Sequence, residues 1–203
     1  LKQQRPASKA EAQYYLAQAY TQQRDFGRAF DTYDEALETI SKANKAEQER
    51  LLPLLGQVWM GKGLAVARYG GDAASIYYEF WRQYPTHALA ADALYLAASW
   101  AETEISWATA GEYYRLFRRH YGEDARVIEA LFRQGLAAYE TGDVGAAVML
   151  WSQLLVELPE TAVSQRARTL TWLGRAAQTL GDEAAAQALW AQAQALAPDL
   201  YYG

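Results

Sequence analysis

The chain repeats itself. A small residue, a second residue three later, Ala about nine further on, an aromatic four beyond, an apolar residue three beyond that and Pro five later describe five successive stretches. The fullest copies are Gly135, Ala138, Ala147, Trp151, Leu154, Pro159 and Gly174, Ala177, Ala186, Trp190, Ala193, Pro198. Both carry a Gly-Asp turn, at Gly142-Asp143 and Gly181-Asp182. A third copy is Gly61, Leu64, Ala73, Tyr77, Phe80, Pro85; a fourth is Ala17, Tyr20, Ala29, Tyr33, Ala36, with Ser41 where Pro would stand. The fifth, Ala97, Trp100, Ala110, Tyr114, Phe117, Gly122, needs one extra residue in its turn. The first positions lie 44, 36, 38 and 39 residues apart. Repetition on this scale marks an array whose units bury their apolar faces against one another.

The units are helical. Apolar residues recur at three- and four-residue spacing, as in Phe26, Phe30, Tyr33, Leu37 and in Val148, Trp151, Leu155, and there are only five Pro in 203 residues. Gly or Ala at the first position and Ala at the third remove bulk where two antiparallel helices cross, and the aromatic fills the groove toward the next helix. Glycine ends the first helix of a pair, and Pro falls where a helix must not continue. The expected pairs are 9–22 with 26–40, 46–69 with 72–84, 87–102 with 107–120, 124–141 with 144–157, and 162–180 with 183–196. The segment Ser41 to Pro53 accounts for the longest spacing and reads as one or two added helical turns.

Composition narrows the function. Net charge is −5, from 19 Lys and Arg against 24 Asp and Glu, and lacks the basic footprint that nucleic-acid binding requires. With no Cys and two His, no thiolate metal site, disulfide or Cys nucleophile is available, and neither a metal nor a cofactor is expected. No apolar run approaches the roughly 20 residues of a membrane-spanning helix. The chain opens on Leu1 and stops at Gly203 in mid-phrase, and is read as a piece of a longer protein.

The copies resemble the tetratricopeptide repeat, a helix-turn-helix unit with this series of small, aromatic, Ala, aromatic and Pro positions. The resemblance spans nearly the whole chain. It departs from the family in its longer period and in lacking the early Trp, whose place is taken by Gln13, Gln57, Ala93, Leu131 and Leu170. It implies an all-α, right-handed α-solenoid of about five repeats, at about 9–40, 46–85, 87–122, 124–159 and 162–198, in a single domain 1–203. The closing stretch, Trp172-Leu173-Gly174-Arg175-Ala176, then Leu180-Gly181-Asp182, then Ala197-Pro198-Asp199-Leu200-Tyr201-Tyr202-Gly203, is similar to the last superhelical repeat of bacterial soluble lytic murein transglycosylases. That resemblance implies a non-catalytic helical arm of an exported protein of the periplasm or cell envelope. Peptidoglycan, a partner protein or the chain's own downstream domain would then be what it touches. The family's Glu-Ser catalytic dipeptide is absent from the 203 residues. The alternatives are a protein-interaction adaptor of envelope assembly that binds a peptide or helix in a concave groove, and an intracellular regulatory repeat domain.

By the repeat phase, the groove would be lined by the first helix of each pair. It would display Tyr14, Gln18 and Thr21; Leu55, Val58, Lys62 and Ala65; Leu94, Ala98 and Ala101; Phe132, Leu136 and Tyr139; and Arg168, Thr171, Arg175 and Gln178. Its apolar middle, Leu55, Val58, Leu94 and Phe132, is expected to be partly buried by the protein's own missing domain, a partner chain or a second copy, because contiguous exposed apolar surface marks a contact. Only Lys62, Arg168 and Arg175 approach what a peptide-carboxylate clamp needs. His87 and His120 read as surface or capping residues without a catalytic partner. Arg115, Arg118, Arg119 and Arg126 form a local basic cluster explained by the helix dipole or, less simply, by an anionic polymer. Tyr77, Phe80 and Tyr84 share a core face, and Tyr78 and Trp81 lie off it as candidate glycan or interface residues.

Overall fold

A computed structural model describes residues 6–198. Ten helices and no strand occur among them: α1 (Pro6–Gln22), α2 (Phe26–Ser41), α3 (Lys45–Tyr69), α4 (Ala73–Gln83), α5 (Ala90–Thr103), α6 (Trp107–His120), α7 (Val127–Glu140), α8 (Val144–Glu157), α9 (Val163–Thr179) and α10 (Glu183–Leu196). The fold class is therefore all-α, built of the helix pairs that the repeat pattern anticipates. The extra residues between Ser41 and Pro53 lengthen α3 at its start, so Pro53 lies inside a 25-residue helix.

Local chemistry sets the boundaries. Asp25, Asn44, Asp72, Asp143 and Asp182 precede α2, α3, α4, α8 and α10, and each side chain accepts the backbone N–H three residues on. One of the otherwise unpaired donors of each helix start is thereby satisfied. Helices α5 and α7 begin three residues later than the pattern suggests. The segments before them close turns instead, with Ala90 N–H donating to His87 O and Val127 N–H to Asp124 O.

The chain divides into two compact units, Leu1–Glu104 and Ile105–Gly203. In the first, Tyr33, Ala36, Ile40, Leu51, Leu55 and Val58 form the centre of a core drawn from α1, α2 and α3. In the second, Leu131, Phe132, Trp151, Leu154 and Leu173 form the core of α7, α8 and α9. Small residues and aromatics are direct partners. A Cβ built on Gly174 would lie 2.3 Å from Trp190 Nε1, and one on Gly63 would lie 2.5 Å from Tyr77 Cζ. In the last two copies, where Gly135 meets Trp151 and Gly174 meets Trp190, the aromatic thus fills the space left by the small residue of the same copy. In the third copy the partner of Tyr77 is Gly63, not Gly61. Gly61 faces the Tyr33 hydroxyl, 2.7 Å from its would-be Cβ.

Candidate functional site

The first-helix face of the second unit carries four of the groove residues anticipated from the repeat phase, Phe132, Tyr139, Arg168 and Arg175. Helix α7 contributes Glu129, Phe132, Arg133 and Tyr139; α9 contributes Arg168, Trp172, Arg175 and Thr179. Arg168 donates from Nη2 to Glu129 Oε2 at 2.5 Å, and its guanidinium carbon stands 3.8 Å from the centre of the Phe132 ring. Arg133 Nε donates to the other carboxylate oxygen of Glu129 at 2.8 Å. Burial alone would raise the pKa of Glu129, but the hydrogen bonds and charges of the two arginines outweigh it and hold the carboxyl below its usual range.

Further along the same face, Arg175 lies 4.8 Å over the Trp172 ring. Trp172 in turn meets Tyr139 edge-on at 5.7 Å and Phe132 at 6.5 Å, while the Tyr139 hydroxyl pairs with Thr179 Oγ1 at 2.9 Å. The result is a ladder of aromatic rings, Phe132 buried and Tyr139 and Trp172 half-buried, capped by guanidinium groups. Arg168 is neutralised within the face, whereas no carboxylate pairs with Arg175 among the described residues. Such a surface offers aromatic area and cation–π donors with little side-chain freedom left to lose.

Glu129 and Trp172 escaped the sequence reading. A signal existed for Glu129: it precedes Arg168 by 39 residues, the spacing between the last two copies, so opposite charges occupy one register in adjacent repeats.

The other anticipated groove residues fare differently. Leu55 is 5% exposed, Val58 and Leu94 0% and Phe132 3%, so the apolar middle of the groove is covered by the chain itself. This corrects the expectation that a missing domain, a partner chain or a second copy covers it. Helix α3 packs on α1, α2 and α4, and Leu55 and Val58 lie in the core it shares with α1 and α2. Leu55 also borders a cleft of about 430 Å³ walled by Leu37, Ile40, Leu52, Trp59 and Tyr84. Tyr14 is half-buried, with its ring 6.5 Å from Tyr33 and its hydroxyl accepting from Gln18. Lys62 is bound to Asp34 at 2.5 Å and lies 5.8 Å over the Trp59 ring. Two of the three clamp candidates therefore spend their charge internally.

His87 is half-buried and, as the capping alternative has it, accepts a backbone N–H ahead of α5. Its Nδ1 accepts from Leu89 N–H at 3.0 Å, so Nε2 carries the proton and donates to Leu52 O at 2.9 Å, with the ring edge-on to Phe80. His120 is the exposed last residue of α6. In the basic cluster, Arg115 pairs with Glu112, Arg126 with Asp124, and Arg118 donates to Gln134 at 2.7 Å. Tyr77 and Phe80 are core, and Trp81, at 8% exposure, is no open sugar platform. No helix among the described residues is long and apolar enough to cross a membrane. The Tyr201-Tyr202-Gly203 ending lies outside the described residues.

The fold is that of an all-helical repeat protein. The family model described as Tetratricopeptide repeat matches residues 11–39 and 129–161, so each unit holds a helix pair with that pattern. No curated protein matches the chain. Among solved structures, the chain is similar to MamA, with 15% identity, 97% of this chain and 99% of that chain covered and a TM-score of 0.64. It is also similar to the Podosopora anserina putative kinesin light chain nearly identical TPR-like repeats, at 17% identity, 99% and 100% coverage and a TM-score of 0.63. YrrB, a TPR protein with an unusual peptide-binding site, aligns at 17% identity over 92% of this chain and 86% of that chain, with a TM-score of 0.60. At these identities the likeness is one of fold.

Proposed function

We propose that the chain is a non-catalytic protein-interaction module that takes a peptide or helix of a partner on the α7–α9 face. The observation that carries this reading is the pair of guanidinium groups held on rings, Arg168 on Phe132 and Arg175 on Trp172. Arginine and large aromatics dominate binding energy at protein interfaces, and here they are ordered before any partner arrives. The peptide-binding site named for YrrB is in keeping with such a use of the fold. An immobilised peptide array probed with the wild-type chain tests the proposal. Peptides should be retained whose binding falls at least tenfold in Trp172→Ala and in Arg175→Glu, both with unchanged helical circular dichroism. Binding indifferent to both substitutions overturns it.

A finer reading is that the chain is the helical arm of an exported lytic-transglycosylase-like protein of the periplasm or cell envelope, contacting peptidoglycan or its own downstream domain. It rests on the sequence of the last helix pair and the Ala197–Gly203 phrase. Sedimentation with purified murein sacculi separates the two. Retention on sacculi supports the arm, and its absence together with peptide binding supports an adaptor.

A further inference from the structure

Each helix pair turns from its first helix to its second through a residue in the left-handed region. These residues are Arg24 (φ 60°), Gly70 (86°), Ile105 (59°), Gly142 (85°) and Gly181 (83°). Glycine takes this conformation freely and other L-residues do so under strain. At the first turn the chain carries Arg24 where three of its other copies carry Gly, which asks what the side chain does there.

Arg24 borders two adjoining recesses of the first unit. One, of about 540 Å³, is walled by Thr21, Gln22, Phe26 and Arg68. The other, of about 530 Å³, is walled by Gln23, Asp25, Phe26, Gly27, Phe30 and Tyr69. Arg68 arrives from the last turn of α3, where a cation complements the helix dipole. That accounts for Arg68 but not for Arg24. Neither guanidinium has a carboxylate partner among the described residues. The one carboxylate in either wall, Asp25, is committed to Arg28, whose Nε donates to it at 2.6 Å. The second recess is aromatic. Tyr69 is 67% exposed, and its ring lies 5.7 Å from both Phe26 and Phe30.

We propose that Arg24 and Arg68 form a binding site for the carboxylate of an acidic peptide segment, with a neighbouring aromatic or aliphatic side chain of that peptide lying against Phe26, Phe30 and Tyr69. The charge is complementary, since this end of a chain with net charge −5 presents two uncommitted arginines. The pairing suits the planar, bidentate recognition that guanidinium gives a carboxylate. The site lies in the first unit and stands or falls independently of the α7–α9 face.

Amide chemical-shift titration with the blocked dipeptides acetyl-Phe-Glu-amide and acetyl-Phe-Gln-amide, and with inorganic phosphate, tests it. The Glu dipeptide should shift residues 21–28 and 67–70, and the Gln dipeptide should bind at least tenfold more weakly. Arg24→Gly and Arg68→Gln should each weaken the Glu dipeptide at least tenfold. Arg24→Gly should at the same time raise Tm, because Gly fits φ 60°. Several results would overturn the proposal: equal binding of the two dipeptides, full binding by Arg24→Gly, a lowered Tm in that variant, phosphate binding as tight as the Glu dipeptide, or shifts confined to α7 and α9.

Discussion

Gly135 and Trp151 share one volume between α7 and α8: a methyl group added at Gly135 would fall 2.4 Å from Trp151 Nε1, the atom that donates to Phe132 O at 3.1 Å. Gly174 and Trp190 repeat the arrangement, with Trp190 Nε1 donating to Thr171 O, also at 3.1 Å. The indole can donate to the backbone of the first helix because the glycine lets the two helices close.

Gly135→Ala should therefore destabilise the protein by about 1–3 kcal/mol, the cost of overfilling a packed core. Trp151→Ala, which empties a fully buried site, should cost about 3–5 kcal/mol. The two effects should not add, because without the indole the methyl group has room. Urea unfolding of the two single variants and the double variant measures this, and strict additivity would contradict the shared volume.

The left-handed turns give a prediction of opposite sign. Ile105, a β-branched residue at φ 59° and 73% exposed, holds a conformation that costs an L-residue about 1–2 kcal/mol. Ile105→Gly should raise stability by about 1 kcal/mol, tempered by the greater freedom of Gly in the unfolded chain. Gly142→Ala should lower it by a similar amount. Thermal unfolding of both variants gives the comparison.

Acid should weaken the second unit through Asp124. Its carboxylate accepts from Arg126 Nε at 2.8 Å and Nη2 at 2.7 Å, and these bonds, with that from the Arg126 backbone N–H, hold its pKa down to about 2 from 3.8. A carboxyl depressed in the folded state adds stability above its unfolded pKa and loses it as pH falls through the folded one. The stability gap between wild type and Asp124→Asn should be full above about pH 4 and close toward pH 2. A gap unchanged across that window would show that the ion pair does not contribute.

The helix pairs were legible because the sequence marks many helix ends, with Asp or Asn before α2, α3, α4, α8 and α10 and Gly or Pro soon after α3, α4, α7, α8, α9 and α10. Pairs were legible because small residues and aromatics recur together. Two things were hidden. Glycines two apart, Gly61 and Gly63, both fit the small position, and only the packing assigns Gly61 to Tyr33 and Gly63 to Tyr77. The groove was half visible. Helical phase says which residues share a face but not whether a neighbouring helix covers it, so Val58 and Leu94 became core while Arg168 and Arg175 stayed half exposed. The ladder of the α7–α9 face needed the pairing of two copies, which no single-helix pattern contains.

Glu129 and Arg168 stand at one register of neighbouring copies, joined at 2.5 Å. The last two repeats are therefore not interchangeable bricks. Duplicating either one would set acid beside acid or base beside base at that junction. The succession of the copies is written in the sign of a single side chain.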